Sequence, residues 1–412
     1  MKETGVIRRR VSGPEAAPYM NVARNLLGMV KQQIQFGGLS QLSRTVDLPN
    51  GIRITVMSIF GQDEVRISVP DMPNALGQAA KKISKHKTIS EVIYGDYFKW
   101  TPKDKNTYIP NLIASDVTKD GLTVVGQDYN LGLAAYWTEK KGFTYIDKTQ
   151  QSYATATSGD GSIIGGYYVT NAGFIWTNES GAHPIDTDIY GISDDGTVLV
   201  GVEFDGNNRA SFLWTKDGGK RLIGDFTANN ISGDGKVVVG YRIDNNIAFG
   251  VKWTEKTGVV DLPHDPKGGI PYTVMYNTVP KAANYDGSVI VGSWTFDAII
   301  PGYTYESLHT HLARWDSTGM TSLGAFYTPW ESNNTNDMVA TDVSDDGKII
   351  VGTGIHGDDA PSTWYASFRW TEETGIVEIN RGLSTRVVIA TPTTYYVDGI
   401  EVDKKTYDAT PN

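Results

Sequence analysis

The sequence contains no cysteine among its 412 residues. Disulfides, thiolate metal sites and thiol nucleophiles are therefore excluded. No apolar run reaches membrane-spanning length, and the opening stretch, MKETGVIRRRVSGPEAAPYM, is polar and broken by glycine and proline where a secretory signal needs an apolar core. The expectation is a soluble chain with no membrane segment, made in a cytoplasm. Positive charge is also in deficit: Lys+Arg 37 against Asp+Glu 47 leaves a net charge of −10, which makes nucleic acid an unlikely partner. The sequence has no Gly-Lys-Ser/Thr phosphate loop, no G-x-S-x-G elbow and no H-E-x-x-H helix. No catalytic residue and no cofactor is expected, and the chain reads as a non-enzyme.

What is abundant points to sheet. There are 45 Gly, 22 Tyr and 10 Trp, and glycine turns between aromatic and β-branched runs suit short strands. Charge is unevenly spread. Residues 1–90 hold 13 basic against 6 acidic residues, or +7, and residues 91–412 hold 24 against 41, or −17. Two regions with different neighbours are implied.

The longer region is a repeat. Asp-Gly pairs begin at Asp120, Asp160, Asp195, Asp234, Asp286 and Asp346, separated by 40, 35, 39, 52 and 60 residues. Each is followed by a β-branched run ending in glycine, such as TVLVG or KVVVG, and then by a strand ending in Trp: Trp137, Trp176, Trp214, Trp253, Trp315 and Trp370. Trp100, in YFKWT, precedes the first Asp-Gly. A unit of this length matches a four-stranded propeller blade. Strand A precedes Ser-x-Asp-Gly, the Asp-Gly makes the A–B turn with the Asp capping its own backbone, B is the β-branched run, C ends at Trp, and D follows. The seven Trp residues are expected to be structural, each packing a blade on its neighbour. The paired acids Asp194-Asp195 and Asp345-Asp346 fall on these turns, where capping accounts for them better than calcium does.

Residues 92–112 read as strands B, C and D lacking an A, while RVVIATP and the hairpin-like YYVDGIEVD lie near the other end. The expected fold is all-β: a seven-bladed propeller, with six blades as runner-up, closed by N- and C-terminal strands over residues 91–402, with a tail at 403–412. Residues 1–90 form a small basic module. Within 14–38 a helical face carries Met20, Ala23, Leu26, Leu27, Val30 and Ile34, and a hairpin around Asn50-Gly51 follows, with a third strand at Glu64–Val69. The cations Lys81, Lys82, Lys85, Lys87 and Arg8, Arg9, Arg10 read as a solvated linker in preference to a position near nucleic acid or an acidic subunit.

Length variation marks a face. The Gly-to-Trp interval, 15 to 18 residues in the four early repeats, grows to 28 before Trp315 and 23 before Trp370, and the Trp-to-Gly interval grows from 20–24 to 34 and 32. These are the B–C and D–A connections, which leave a blade on one side. Loops there are expected to carry recognition. Trp294, Tyr303, Tyr305, Trp330, Trp364 and Tyr365 are the candidate binding residues, with Tyr272, Tyr276 and Tyr327 nearby, because aromatic rings suit a partner protein or a glycan. His309 and His311 are a weak metal candidate, with His356, Asp358 and Asp359 on the next insertion.

The phrases GISDDGTVLVG…ASFLWT, NISGDGKVVVG…FGVKWT and DVSDDGKIIVG…ASFRWT resemble the HAF-type repeats of bacterial surface proteins, over roughly residues 110–380. That resemblance implies a propeller and says little of function. The segment ARNLLGMVKQQIQFGGLSQLSRTVDLPNGIRITVMSIFGQDEVRISVP is similar in style to small proteins encoded among bacteriophage tail genes. Together they imply a structural component of a virion, at the nozzle, hub or tip of the tail and assembled in the host cytoplasm. Residues 1–90 would bind other tail proteins, the chain would be a homo-oligomer in the assembly, and the propeller would meet a host glycan or receptor. The alternative is a bacterial surface or secreted propeller that binds a glycan or protein.

Overall fold

The computed structural model describes residues 8–11, 20–37, 41–48, 52–59, 62–70, 85–170, 172–205, 208–266, 274–299, 306–326, 338–358, 362–381, 386–397, 400–402 and 404–410. The chain divides into two compact units, one of residues 89–392 and one of residues 1–88 with 393–412.

The larger unit is a propeller-like succession of four-stranded antiparallel sheets. In the first, Leu112–Val117, Thr123–Asp128, Leu133–Thr138 and Gly142–Tyr145 follow one another as A, B, C and D. Five more meanders occupy residues 152–185, 188–224, 227–261, 274–324 and 338–381. The last sheet is split: Val387–Ala390 supplies its A strand and pairs antiparallel with Val92–Gly95, which continues through Phe98–Thr101 and Lys105–Tyr108. Each A strand lies against the A strand of the following sheet, and that of the split sheet lies against that of the first. The cycle is closed, so no inner edge is left to pair with another chain.

The repeated phrases build this locally. In the turn at 193–198 the Ser193 hydroxyl donates to Asp195 Oδ1 (2.7 Å) and accepts the Val198 N–H (3.0 Å), while Asp195 Oδ1 accepts the Thr197 N–H (2.9 Å). The same arrangement recurs at Ser158, Ser232 and Ser344, with Thr118 and Asn284 in the serine's place elsewhere. The Gly of these turns has φ near +70°, for example +69° at Gly196, a left-handed conformation that disfavours any residue with a Cβ. The Thr after Trp does a matching job at the C–D turn, where Thr215 Oγ1 accepts the Gly218 N–H (3.1 Å).

The glycine that closes each β-branched run, inside the B strand, has a different cause. In the first six sheets the A strand carries a bulge, at Ser115, Thr155, Tyr190, Asn229, Lys281 and Thr341. The kink drives a carbonyl against the B strand, so a Cβ at Gly126, Gly240, Gly292 or Gly352 would overlap the oxygen of Ile113, Thr227, Val279 or Val339. The bulged side chains then bridge to the next sheet: Thr155 Oγ1 donates to Ile189 O, Asn229 Nδ2 to Pro280 O (2.7 Å) and Thr341 Oγ1 to Val387 O.

The seven repeat Trp residues lie in the layers between sheets. Trp253 packs with Val200, Val202 and Leu213 of the preceding sheet, and Trp315 with Val239 and Leu262. Trp137, Trp176, Trp214, Trp370 and Trp100 take the corresponding place in their own layers, the last against Val351 and Ile379.

The smaller unit departs from a helix plus hairpin. Arg8–Val11 joins Gln41–Asp47, Arg53–Ile59 and Gln62–Pro70 in a four-stranded sheet. The helix Met20–Gly37 covers it, burying Ala23 and Val30 against Ile54, Val56 and Ile67. The Asn50-Gly51 turn lies outside the described residues, as do Lys81 and Lys82. Thr393–Val397 sits between Ile400–Val402 and Lys85–Ile89 in a three-stranded sheet. The YYVDGIEVD hairpin therefore belongs to this unit and not to the ring, which ends at Pro392 and not at 402. The tail is a short helix, Lys404–Ala409, held by Lys85, whose ammonium donates to Thr410 O (2.7 Å) and lies over the Tyr407 ring. Lys85 is thus a structural cation and not part of a solvated linker.

Candidate functional site

The B–C insertions of the fifth and sixth sheets are extended ladders in large part. Ile290–Ile299 pairs with Glu306–Asp316, and Ile350–Asp358 with Ser362–Thr371, so the extra residues lengthen the two central strands. Period-two alternation then decides which rings face outward.

Trp294 faces inward. It is fully buried, stacked on Phe296 at 3.9 Å, in a cluster with Leu262, Ala313 and Met320. The expectation of an exposed recognition residue fails there, because the lengthened hairpin turns that side to the core. Tyr365 is 42 % exposed. Trp364 lies on the same strand, opposite His356. Tyr303, Tyr305, Trp330, Tyr272 and Tyr327 lie outside the described residues.

His309 and His311 stand opposite Phe296 and Trp294 on the same face of the hairpin, their rings 6.3 Å apart. Burial, reinforced by the charge of its neighbour His309, pushes His311 down to about 4, and its Nδ1 meets Ser322 Oγ at 3.1 Å. Burial also lowers His309, against the opposing pull of Asp297. Both imidazoles are therefore neutral at pH 7, edge-on or stacked against Phe296. Among the described residues no three potential ligands are grouped for a metal.

The channel inside the A strands was not anticipated. At its A–B mouth a cavity of about 90 Å³ is lined from every sheet, with Asp116, Asp194, Asp342, Asp345, Lys119 and Tyr285 among its polar and aromatic residues. The residue before each Asp-Gly lines it. Lys119 reaches across the mouth to both Asp194 and Asp345, 2.8 Å each, and sits over the Tyr285 ring. Burial works against its charge, but the two carboxylates outweigh it and hold Lys119 up at about 12. Backbone bonds run around the rim as well, Lys119 N to Gly159 O, Gly159 N to Asp194 O and Asp194 N to Gly233 O, at 2.8–2.9 Å.

Below this plug, Asp116 accepts the N–H groups of Val117 and Thr157, and Asp342 those of Val343 and Ile389, each at 2.8–2.9 Å. Both are half-buried, lining the cavity with protein around them. Burial pushes Asp116 up to about 6 and Asp342 up to about 7, against the stabilising backbone N–H bonds and Arg386, and Asp116 adds to the rise at Asp342. Lys281, at the bulge of the fifth sheet, is lowered by burial and by Arg386. The channel is thus stitched shut at one end by charge pairs and holds two carboxylates that tie adjacent sheets together. The signal was present in the sequence: only the repeats ASDVTKDG and ATDVSDDG place an Asp two residues before the turn's hydroxyl.

No protein-family model and no curated protein matches the sequence. Among solved structures, the chain is similar to TolB from Acinetobacter baumannii, at 11% identity and TM-score 0.40 over 87% of this chain and 85% of that one. It is similar also to an oligogalacturonate lyase from Vibrio parahaemolyticus, at 11% identity and TM-score 0.44 over 83% and 85%. A putative TolB from Agrobacterium tumefaciens gives 12% identity and TM-score 0.38, over 76% and 99%.

Proposed function

We propose that this chain is a non-enzymatic structural component of a bacteriophage tail, in which a seven-bladed propeller is carried as a rigid block by a separate attachment unit. The observation that carries this reading is the way the chain enters and leaves the ring. It enters at Ile89 and leaves at Pro392, where the Ser90 N–H donates to Pro392 O (3.0 Å), and both ends run into one unit. The ring is thereby an insertion in a small sheet-and-helix module, an arrangement suited to holding a closed block by one connection. The circumferential bonds from Thr155, Asn229 and Thr341, with Asp116 and Asp342, favour rigidity over opening.

In this reading residues 1–88 with 393–412 bind the other tail proteins, and the face with the long hairpins is turned to the host surface. The test is incorporation. Full-length chain supplied during infection should be recovered in purified particles, whereas residues 89–392 alone should fold and be absent from them. Particles that retain the isolated ring would overturn the attachment role. Recovery of the full chain in the envelope of uninfected cells, and not in particles, would replace this reading with the surface-propeller alternative.

A further inference from the structure

A second recognition feature lies on the long-hairpin side of the ring, where the split sheet meets its two neighbours. There an open groove of about 630 Å³ is lined by Tyr97, Tyr108, Tyr129, Asn106, Asn380 and Arg381. They come from three neighbouring sheets. Tyr97 forms the B–C turn of the split sheet, Tyr129 begins that of the first, Tyr108 ends a D strand, and Asn380 and Arg381 end the D strand of the sixth. The groove exists because the split sheet is seated between its two neighbours.

Three features mark it as built to hold something. Tyr108 and Tyr129 are 73% and 63% exposed, so their rings contribute little to any core. Tyr97 has φ +67°, a left-handed conformation that a bulky side chain disfavours and glycine would take freely. It is nevertheless clamped there, its N–H donating to Leu112 O (2.9 Å) and its carbonyl accepting the Ile109 N–H (2.7 Å), while the Tyr129 N–H donates to Asn111 O (2.9 Å). The two rings meet edge to face at 6.0 Å. The third feature is polar. Asn106 gives its amide hydrogens to Ile379 O (2.8 Å) and Asn380 Oδ1 (3.3 Å), which leaves Asn106 Oδ1 as an acceptor and Asn380 Nδ2 as a donor at the groove.

We infer that this groove is a binding site for a neutral saccharide. Exposed aromatic faces suit the C–H faces of a sugar ring, and a fixed amide acceptor beside a fixed amide donor suits vicinal hydroxyls. The volume falls within the range of small-ligand sites, with room for about two sugar rings. Charge excludes an anionic ligand: the Arg381 guanidinium is already paired with Glu378 (2.6 Å), and the Asp96 carboxylate, 5% exposed, lies at the groove's base. The inference does not depend on which assembly carries the ring.

The experiment is titration of the full chain with neutral oligosaccharides of the gluco, galacto, manno and N-acetylhexosamine series, with sialylated and sulfated oligosaccharides and a random peptide pool as the other arms. At least one neutral series should bind with a Kd below about 1 mM. Tyr129→Ala should weaken that binding at least tenfold. Tyr97→Gly should weaken it equally while leaving the thermal midpoint unchanged or higher, since glycine relieves the backbone and removes only the ring. Failure of every neutral series, binding confined to the acidic sugars or to peptides, or unchanged affinity in both tyrosine variants would overturn the inference. None of these outcomes bears on whether the chain is found in particles.

Discussion

Two glycines that look alike in the sequence do opposite things. Gly240 lies within a B strand, where a Cβ would overlap Thr227 O, and that carbonyl is fixed by the neighbouring bulge. Gly28 lies in the middle of the helix Met20–Gly37 with nothing within 4 Å of a Cβ. Gly240→Ala should therefore destabilise the ring by about 3 kcal/mol or more, as overpacking against backbone does. Gly28→Ala should stabilise the smaller unit by about 1 kcal/mol, the helix-propensity difference. Chemical denaturation of the two variants checks both signs. The B-strand glycine is conspicuous in each repeat, but its reason lies in a bulge on another strand, which no local pattern displays. The turn residues were different: Ser, Asp and Gly act within six residues of one another, so their roles could be read directly.

At the scale of the element, the indole layers and the closing strand carry the predictions. Trp253 is 6% exposed between the third and fourth sheets. Trp253→Ala should cost about 3–5 kcal/mol. The strand Val387–Ala390 completes the split sheet, and the Arg369–Glu91 pair, with two bonds of 2.6 and 2.7 Å, lies beside that junction. A chain ending at Pro392 should keep the ring's melting transition and lose that of the smaller unit. One ending at Arg386 should expose the edge of Val92–Gly95 and aggregate on concentration, which light scattering would detect. Equal behaviour of the two truncations would contradict the closure. Strand order was legible because six sheets repeat one punctuation, and the split sheet because its B, C and D strands precede the first Asp-Gly without an A. The long insertions misled for a physical reason: strands that simply continue look, by length, like loops, and continuation reversed the exposure of Trp294. The tyrosine groove stayed hidden because Tyr97, Tyr129 and Asn380 come from three separate sheets.

The whole molecule shows two opposed pH dependences. Hydrogen bonds within the A–B turns, from the Ser162 N–H to Asp160, the Ser193 hydroxyl to Asp195 and the Ser288 side chain to Asp286, hold these carboxyls below their usual range. Their contribution is present above the unfolded value near 4 and is lost as pH falls through the folded values. The channel carboxylates run the other way. Asp116 at about 6 and Asp342 at about 7 bind protons in the folded ring that the unfolded chain has released, so stability falls as pH rises from about 4 to about 7. The thermal midpoint of the ring should therefore peak near pH 4 to 5 and decline towards neutrality. Asp342→Asn should flatten that decline whatever its effect on the midpoint itself. A midpoint that rises steadily from pH 5 to 8 would show that the channel carboxylates are not desolvated as described.

Residues far apart in sequence close one ring, and the absence of native cysteine allows a clean covalent test of that closure. Val92 and Ala390 are register partners across the closing junction. In Val92→Cys, Ala390→Cys a disulfide should form within one chain under mild oxidation, with faster migration on a non-reducing gel and a raised midpoint that reduction abolishes. Absence of the intrachain bond, or dimers linked between chains in its place, would contradict a closed ring.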